Sequence, residues 1–399
     1  MLFGFAFRNV MRNRKRSLLT AAAVFFAAVV VTITQAWAVG LTEMVLSNTI
    51  RHQTAHMRVV SDEYLDRERF MPVDELVFDA DMLIEDIRAL DAAASVEERI
   101  RFGALLGSVD AADALGLGLD FARTEIPFLD RLVEGDPAEP GIFIGYGLAE
   151  RTGTRPGDEL MIAARTSEGG LNAVRLPVAG IFRYNIGMYD NKLFYLALED
   201  ARRLLRIPDG TTTEIYVFAR DLAAAGSLEE EVGTLLDEYT VVQGYRSQLG
   251  AMADFFDVST ALYMIIEALI IFLASFVVIN TMMMTVFERI REIGTLKAIG
   301  MTDRQLFFNF TLEGAIIGFI GGTAGVLVGY IAVTITGNIG IDISQVANME
   351  LPFEYILRLK AAPGDIIPAY VLSIIIPALA AMIPARRARR LVPADALRK

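Results

Sequence analysis

The sequence predicts a membrane α-helical protein with four transmembrane helices and a mixed α+β extracytoplasmic domain inserted between helices 1 and 2. Three observations carry that prediction. Four stretches are long and apolar enough to cross a hydrocarbon core, which takes roughly 20 residues. Basic residues gather beside those stretches, all on one side if the chain crosses four times. The long segment 42–258 alternates between periods of two and 3.6, as a folded soluble domain does. Composition agrees: 54% of the 399 residues are hydrophobic and mean hydropathy is +0.43, yet 22% are charged. There is no cysteine, which excludes a disulfide framework, a thiolate metal site and a cysteine nucleophile.

Residues 1–17 read as a cytoplasmic or interfacial helix, with Phe3, Phe7, Val10 and Met11 on one face and Arg8, Arg12 and Lys15 off it. Transmembrane helix 1 covers 18–41 and continues outward through Glu43, Val45 and Leu46. Ala36-Trp37-Ala38 mimics a signal-peptidase site, but the preceding apolar run of about 24 residues exceeds the 7–15 of a signal peptide and favours a retained span. In the domain 42–258, strands are expected at Met57–Val60, Arg99–Leu105, Ile142–Ile144, Glu159–Ala163, Leu176–Phe182, Leu193–Leu196, Ile215–Ala219 and Thr240–Gln243. Helices are expected at Asp79–Asp91, Leu148–Arg151, Leu198–Leu205 and Leu228–Glu238, and two subdomains are possible. Gln248–Val258 leads helically into transmembrane helix 2, which covers 262–287 with Glu267 as its one charge. A loop at 288–306 precedes transmembrane helix 3 at 307–336, whose one charge is Glu313. An extracytoplasmic loop at 337–365, transmembrane helix 4 at 366–383 and a cytoplasmic basic tail at 384–399 complete the chain.

Charge sets the orientation. Arg8, Arg12, Arg14, Lys15 and Arg16 precede the first crossing. Arg289, Arg291, Lys297 and Arg304 lie between the second and third, and six more basic residues follow the fourth. Only Glu288, Glu292, Asp303 and Asp395 share that side, which is therefore expected to be cytoplasmic, with both termini on it. With Glu267 and Glu313 set aside, the rest holds 43 acidic against 22 basic residues, a field that disfavours nucleic acid. An ionised carboxylate at membrane depth is costly, so Glu267 is expected to face a wet cavity, another subunit or the nearby surface. Gly314, Gly318 and Gly322, with Gly321, Gly325 and Gly329, form two rows of G-x-x-x-G spacing that let a helix approach closely, within one subunit or across a dimer seam.

Enzyme-like patterns fail. His52 and His56 have zincin spacing, but Gln53 stands where the catalytic Glu belongs, so no metal is expected. Gly145-Tyr146-Gly147 lacks the third glycine of a dinucleotide loop, and no G-x-x-x-x-G-K-[ST] occurs. No catalytic residue is expected; ATP and Mg would be bound by a partner ATPase. The loop FERIREIGTLKAIGMTDRQL (287–306) is short, charged and helix-forming, with Ile290, Ile293, Leu296 and Lys297 on one face. It suits docking into a soluble partner's cleft, or is a solvated connection.

This loop closely resembles the signature of the permease family that includes FtsX, MacB and the lipoprotein-releasing pair LolC and LolE. The matching residues are Glu288, Arg289, Arg291, Glu292, Ile293, Gly294, Lys297, Ala298 and Gly300. Phe7–Thr20 is similar to the family's opening, Ile383–Arg398 to its ending, and Gly141–Leu160 to part of its extracytoplasmic module. The resemblance implies a bacterial inner-membrane ABC transporter permease that works with two soluble ATPase subunits and a second permease copy or paralogue. The nine matching residues would form the ATPase-coupling helix, whose motion is passed to the outer domain. The organisation is most like LolC and LolE, which implies extraction of lipoproteins from the outer leaflet towards a periplasmic carrier or adaptor. The groove would then lie between Trp37, Leu41, Met44 and Val45 on one side and Met252, Phe255, Phe256, Leu262, Tyr263, Met264 and Glu267 on the other. Met and Phe there suit variable acyl chains and membrane lipids. Alternatives are MacB-like efflux with a periplasmic adaptor and an FtsX-like signalling scaffold activating a cell-wall hydrolase.

Overall fold

The computed structural model describes residues 2–107, 111–124, 128–184, 187–343, 356–361 and 363–390. In chain order, α1 (Leu2–Arg12) stops at Asn13 and α2 (Arg14–Thr49) begins at once. β1 (Met57–Ser61), α3 (Asp62–Arg67), α4 (Ala80–Arg88), β2 (Ala93–Leu106), β3 (Ala112–Leu119) and β4 (Leu132–Gly135) follow. Then come β5 (Ile142–Gly145), α5 (Tyr146–Thr152), β6 (Glu159–Arg165), β7 (Leu171–Phe182), α6 (Gly187–Lys192), β8 (Leu193–Ala197) and α7 (Leu198–Leu205). After β9 (Glu214–Ala219), α8 (Ala225–Gly233), β10 (Thr240–Gly244) and α9 (Tyr245–Leu249) the chain enters α10 (Ala251–Glu288). It ends through α11 (Ile290–Ala298), α12 (Asp303–Ile339), the short strands β11 (Ile341–Asp342) and β12 (Ile356–Leu357), and α13 (Pro363–Arg389). The loop 337–365 and the tail 384–399 lie partly outside the described residues.

Two compact units emerge, one helical and one α+β. In the α+β unit the sheet runs β10-β1-β9-β2-β3-β8-β5-β7-β4, with β6 pairing β2 and β7. β2 is the shared spine. Its first half pairs β9, its second half pairs β3, and its end also pairs β6. Each half of the sheet buries its own core. One holds Met57, Val59, Ile84, Ile87, Ile215 and Leu228; the other holds Ile100, Phe102, Ile144, Ile162, Phe194 and Leu204. Alternation along β5 sends Phe143 to the opposite face, into an aromatic cluster with Phe128, Phe182 and Tyr195. One continuous sheet thus carries two lobes.

Strands β3, β4, β11 and β12 and helices α3, α6 and α9 were not expected from sequence. β3 reads ADALGLGL, and its glycines hide the signal because they are packing seats. A Cβ at Gly116 would lie 2.4 Å from the Phe102 ring, and one at Gly118 would lie 2.6 Å from the Ala201 side chain. The stretch Gly141–Leu160 is a strand–helix–turn–strand unit, closed by Gly153 at φ +65° and Gly157 at φ +94°. Gly145 and Gly147 are small because Asp190 and Asn191 of α6 approach them, a Cβ at Gly145 falling 2.5 Å from the Asp190 carbonyl oxygen. His56 Nδ1 accepts a bond of 3.1 Å from the Ala219 amide, a contact at the end of strand β9 inside the sheet. Among the described residues no cluster of three or more metal-ligating side chains occurs.

In the helical unit four helices are long and apolar enough to span a membrane: Arg14–Thr49, Met252–Glu288, Asp303–Ile339 and Ile366–Arg389. The first has 36 residues, about 54 Å at 1.5 Å per residue, well beyond a core of roughly 30 Å. The helical entry into α10 is interrupted at Gly250, whose φ is +50°. α12 is the centre of the bundle, and its two glycine rows seat two different neighbours. Cβ atoms at Gly314 and Gly318 would lie 2.7 and 2.8 Å from the Pro377 and Ser373 carbonyl oxygens of α13. At Gly321 and Gly325 they would lie 2.5 Å from the Ala21 and Phe25 carbonyl oxygens of α2. Pro377 has no N–H to bond the Ser373 carbonyl, and that freed oxygen turns towards Gly318, where a Cα–H can meet it. Both rows therefore serve packing within one subunit.

Candidate functional site

The candidate site is at the basic end of the helical unit, around α11. A single residue in non-helical geometry, Arg289 (φ −102°, ψ 17°), parts α10 from α11. Gly300 at φ +108° turns the chain beyond it. Thr302 then caps α12 through a reciprocal capping box with Gln305. This satisfies backbone donors at the helix start and fixes where α12 begins.

The nine motif residues divide by direction. Ile293 and Gly294 are buried, and the side chains of Arg289 and Lys297 are only 11% and 12% exposed. Glu288, Arg291, Glu292, Ala298 and Gly300 are exposed. Ile293 joins a core with Ala6, Val10, Val286, Leu306 and Phe310. Lys297 Nζ is 2.9 Å from Asp303 Oδ1 and donates to the Arg389 carbonyl at 2.9 Å, tying the end of α11 to α12 and α13.

The other end of α11 is tied through a polar cluster. Arg289 donates from Nε to Glu292 Oε2 at 2.9 Å and from Nη2 to Asn9 Oδ1 at 2.8 Å. Asn9 Nδ2 donates to Glu313 Oε1 at 2.7 Å, and Asn309 Nδ2 donates to the same oxygen at 3.1 Å. Arg289 Nη1 stands 3.8 Å from it. At the rim Arg12 pairs with Glu292 at 2.5 Å, and Arg16 pairs with Glu288. The hydrogen bond from Arg289, with the help of Arg12, holds the Glu292 carboxyl below its usual range. Three cations thus face three carboxylates, the arrangement that makes buried charge tolerable.

Asn9, Asn309 and Ile299 were not singled out from sequence. Ile299 is 80% exposed beside α11. On α1 the inward residues are Ala6, Asn9 and Val10, whereas Phe3, Phe7 and Met11 are exposed. Val10 therefore does not share the outer apolar stripe, as the periodicity suggested. One signal was available: an asparagine flanked by small and apolar residues at helical spacing.

The groove residues are placed differently from the expectation. Trp37, Leu41 and Met44 pack on a cluster of Ala36, Val333, Leu357 and Leu359, together with Ile341 of β11, and that cluster holds no α10 residue. Met252, Phe255, Leu262 and Met264 are exposed on α10, while Val45, Phe256, Tyr263 and Glu267 are half-buried. The short antiparallel strand pair β11–β12 helps to seat three of the four α2 residues, a contact invisible in local periodicity.

Four spans, an inserted α+β domain and a charged helix fastened between spans define a membrane permease. The family model "FtsX-like permease C-terminal" matches residues 264–393, and "MacB-like periplasmic core domain" matches residues 17–235, more than half the chain. The chain belongs to this family of ABC transporter permeases. It is 24% identical over 338 residues to the lipoprotein-releasing system transmembrane protein LolC of Neisseria meningitidis serogroup B, covering 79% of each chain. It is 27% identical over 247 residues to the uncharacterized ABC transporter permease YvrN of Bacillus subtilis, covering 57% of this chain and 56% of that one. To the macrolide export ATP-binding/permease protein MacB of Shewanella sp. it is 31% identical over 120 residues, 30% of this chain and 16% of that one. Among solved structures, the periplasmic region of MacB from Actinobacillus actinomycetemcomitans matches with a TM-score of 0.35 at 10% identity, over 52% of this chain and 97% of that one.

Proposed function

We propose that this chain is the membrane subunit of an ATP-driven lipoprotein-extracting machine in a bacterial inner membrane. Its α11 docks onto separate ATPase subunits, which bind ATP and Mg, and the chain itself is non-catalytic. Two such ATPases serve this chain and a second permease copy or paralogue. Both termini and α11 lie in the cytoplasm, and the α+β unit lies in the periplasm, where a carrier or adaptor receives the cargo. The observation that carries the docking role is the split in α11: Ile293 and Arg289 fasten it inward while Arg291, Ala298 and Ile299 are presented outward. The extent of similarity to LolC, 79% of each chain, favours lipoprotein release over macrolide efflux, for which the matching segment is 30% of the chain.

Two measurements test this. Ile299→Asp with Arg291→Glu is expected to abolish co-purification of the ATPase and leave the permease folded; intact assembly would remove the docking role. In proteoliposomes holding a labelled lipoprotein, ATP should drive release to a soluble acceptor. If no acceptor receives label while ATP is hydrolysed, the cargo assignment fails and the efflux or signalling alternatives take its place.

A further inference from the structure

We propose that α1 is strapped to α11 and moves with it as one rigid body, hinged at Asn13 and Arg289, so that the driven element is a helix pair. The inference rests on the docking role of α11. Four observations carry it.

The first is packing. Ala6, Asn9 and Val10 of α1 are spaced on one helical face and are 0%, 6% and 6% exposed; Ala6 and Val10 share a core with Ile293 of α11 and with Leu306, Phe310 and Ile317 of α12, the helix on which α1 chiefly packs. The second is the strap. Asn9 accepts from Arg289 and donates to Glu313, and Arg12 reaches Glu292, so two consecutive turns of α1 are bonded to α11 and its entry residue. Losing either Asn9 bond would leave a buried polar group without its partner, which holds α1 in this seat.

The third is the position of the breaks. α1 and α2 are separated by Asn13 alone, and α10 and α11 by Arg289 alone. A small crevice, with room for about one water, lies beside the first of them, lined by Asn9, Asn13, Arg16, Thr285 and Glu313 among others. Close-packed cores resist small shifts; a gap beside a single-residue break leaves the packing there less close.

The fourth is an incomplete pairing. Arg289 Nη1 and Asn309 Oδ1 are both buried, and neither hydrogen-bonds to a protein group. One is a donor and the other an acceptor, and both side chains already attend Glu313. A small swing of the helix pair that brought them together would satisfy both, giving the strap a second resting position. Arg289 is then a positioning residue that carries motion from α11 to α12.

The absence of cysteine makes the test clean. Spin labels are placed at exposed Arg8→Cys on α1, Thr295→Cys on α11 and Leu19→Cys on α2, in pairs, in the full chain assembled with its ATPase. Distances are then compared between nucleotide-free and nucleotide-trapped states. The 8–295 distance should stay constant while the 19–295 distance shifts by roughly 2 Å or more, the scale of helix shifts in switching proteins. Adding Asn9→Ala should broaden the 8–295 distances without releasing the ATPase. A nucleotide-dependent change in 8–295 would overturn the strap while leaving the docking role standing. If neither distance changes and Ile299→Asp leaves assembly intact, the docking role falls and this inference falls with it. If neither changes but assembly needs Ile299, α11 docks without moving and only the helix-pair proposal is overturned.

Discussion

Replacing Glu214 by Gln should destabilise the α+β unit by about 3 kcal/mol, the lower end of what breaking a buried ion pair costs. Glu214 is fully buried on β9, 2.8 Å from Arg101 and 3.5 Å from Arg58, and accepts a bond from Tyr64. Gln preserves the shape but removes the charge that compensates two guanidinium groups. The lower end applies because Arg58 keeps Glu68 at 2.7 Å and donates to Gln243 at 2.6 Å. For a domain of this size, 3 kcal/mol corresponds to a fall in Tm of about 6–12 °C. Differential scanning fluorimetry reads the fall, and hydrogen exchange locates it in β1, β9 and the first half of β2. Burial pushes the Glu214 carboxyl up, but Arg101 and then Arg58 outweigh it and hold it below its usual range. Its contribution is therefore complete above about pH 4.3, the unfolded value, and is lost as pH falls through the lowered folded value. The gap between native and variant should close in acid. A gap that is absent at neutral pH, or that widens in acid, would refute the idea that this carboxylate is held ionised by its arginines.

Three further outcomes follow from the geometry. Gly325→Ala and Gly318→Ala would press a Cβ to within 2.5 and 2.8 Å of backbone oxygens on α2 and α13, so each should cost about 1–3 kcal/mol, seen as a lower unfolding midpoint in detergent; Gly4→Ala, in helix α1 with nothing within 4 Å, should not destabilise and should gain up to about 1 kcal/mol from helix propensity. Thr302→Ala removes the capping box at the start of α12 and should cost about 0.5–2 kcal/mol, with faster exchange confined to residues around 303–306. Arg289→Glu sets a third carboxylate beside Glu313 and Glu292, so it should loosen the basic end of the bundle as well as reduce ATPase stimulation, giving faster proteolysis at α11; normal protease resistance would show that Arg289 acts only at the partner surface.

What was legible in the sequence is what local physics decides. The apolar runs that became α2, α10, α12 and α13 announce themselves because lipid demands about 20 consecutive apolar residues. Leu198–Leu205 was legible as α7 because Ala201, Leu204 and Leu205 recur on one face. β3 was not, because its glycines answer to Phe102 and Ala201, which arrive from elsewhere in the chain. The break at Gly250 was also missed, since a positive φ leaves no trace in hydrophobic periodicity.

The motif around α11 was visible, but its division of labour was not. Sequence presents Arg289 and Arg291 as equivalent charges two residues apart. In the structure the first has an 11% exposed side chain, bonded to Asn9 and Glu292, while the second is exposed. The difference comes from Asn9 and Glu313, which lie hundreds of residues away from each other in the chain and meet only because α1 folds under α12. A helix meant to be pushed has two mechanical needs: a face that a partner can grip and a back that stays engaged with what it moves. Ile293, Arg289 and Lys297 supply the back, Ile293 through apolar packing and the other two through bonds whose loss would strand a charge. Substitutions at these three should therefore weaken transmission even where the partner still binds, whereas substitutions at Arg291 and Ile299 should weaken binding first.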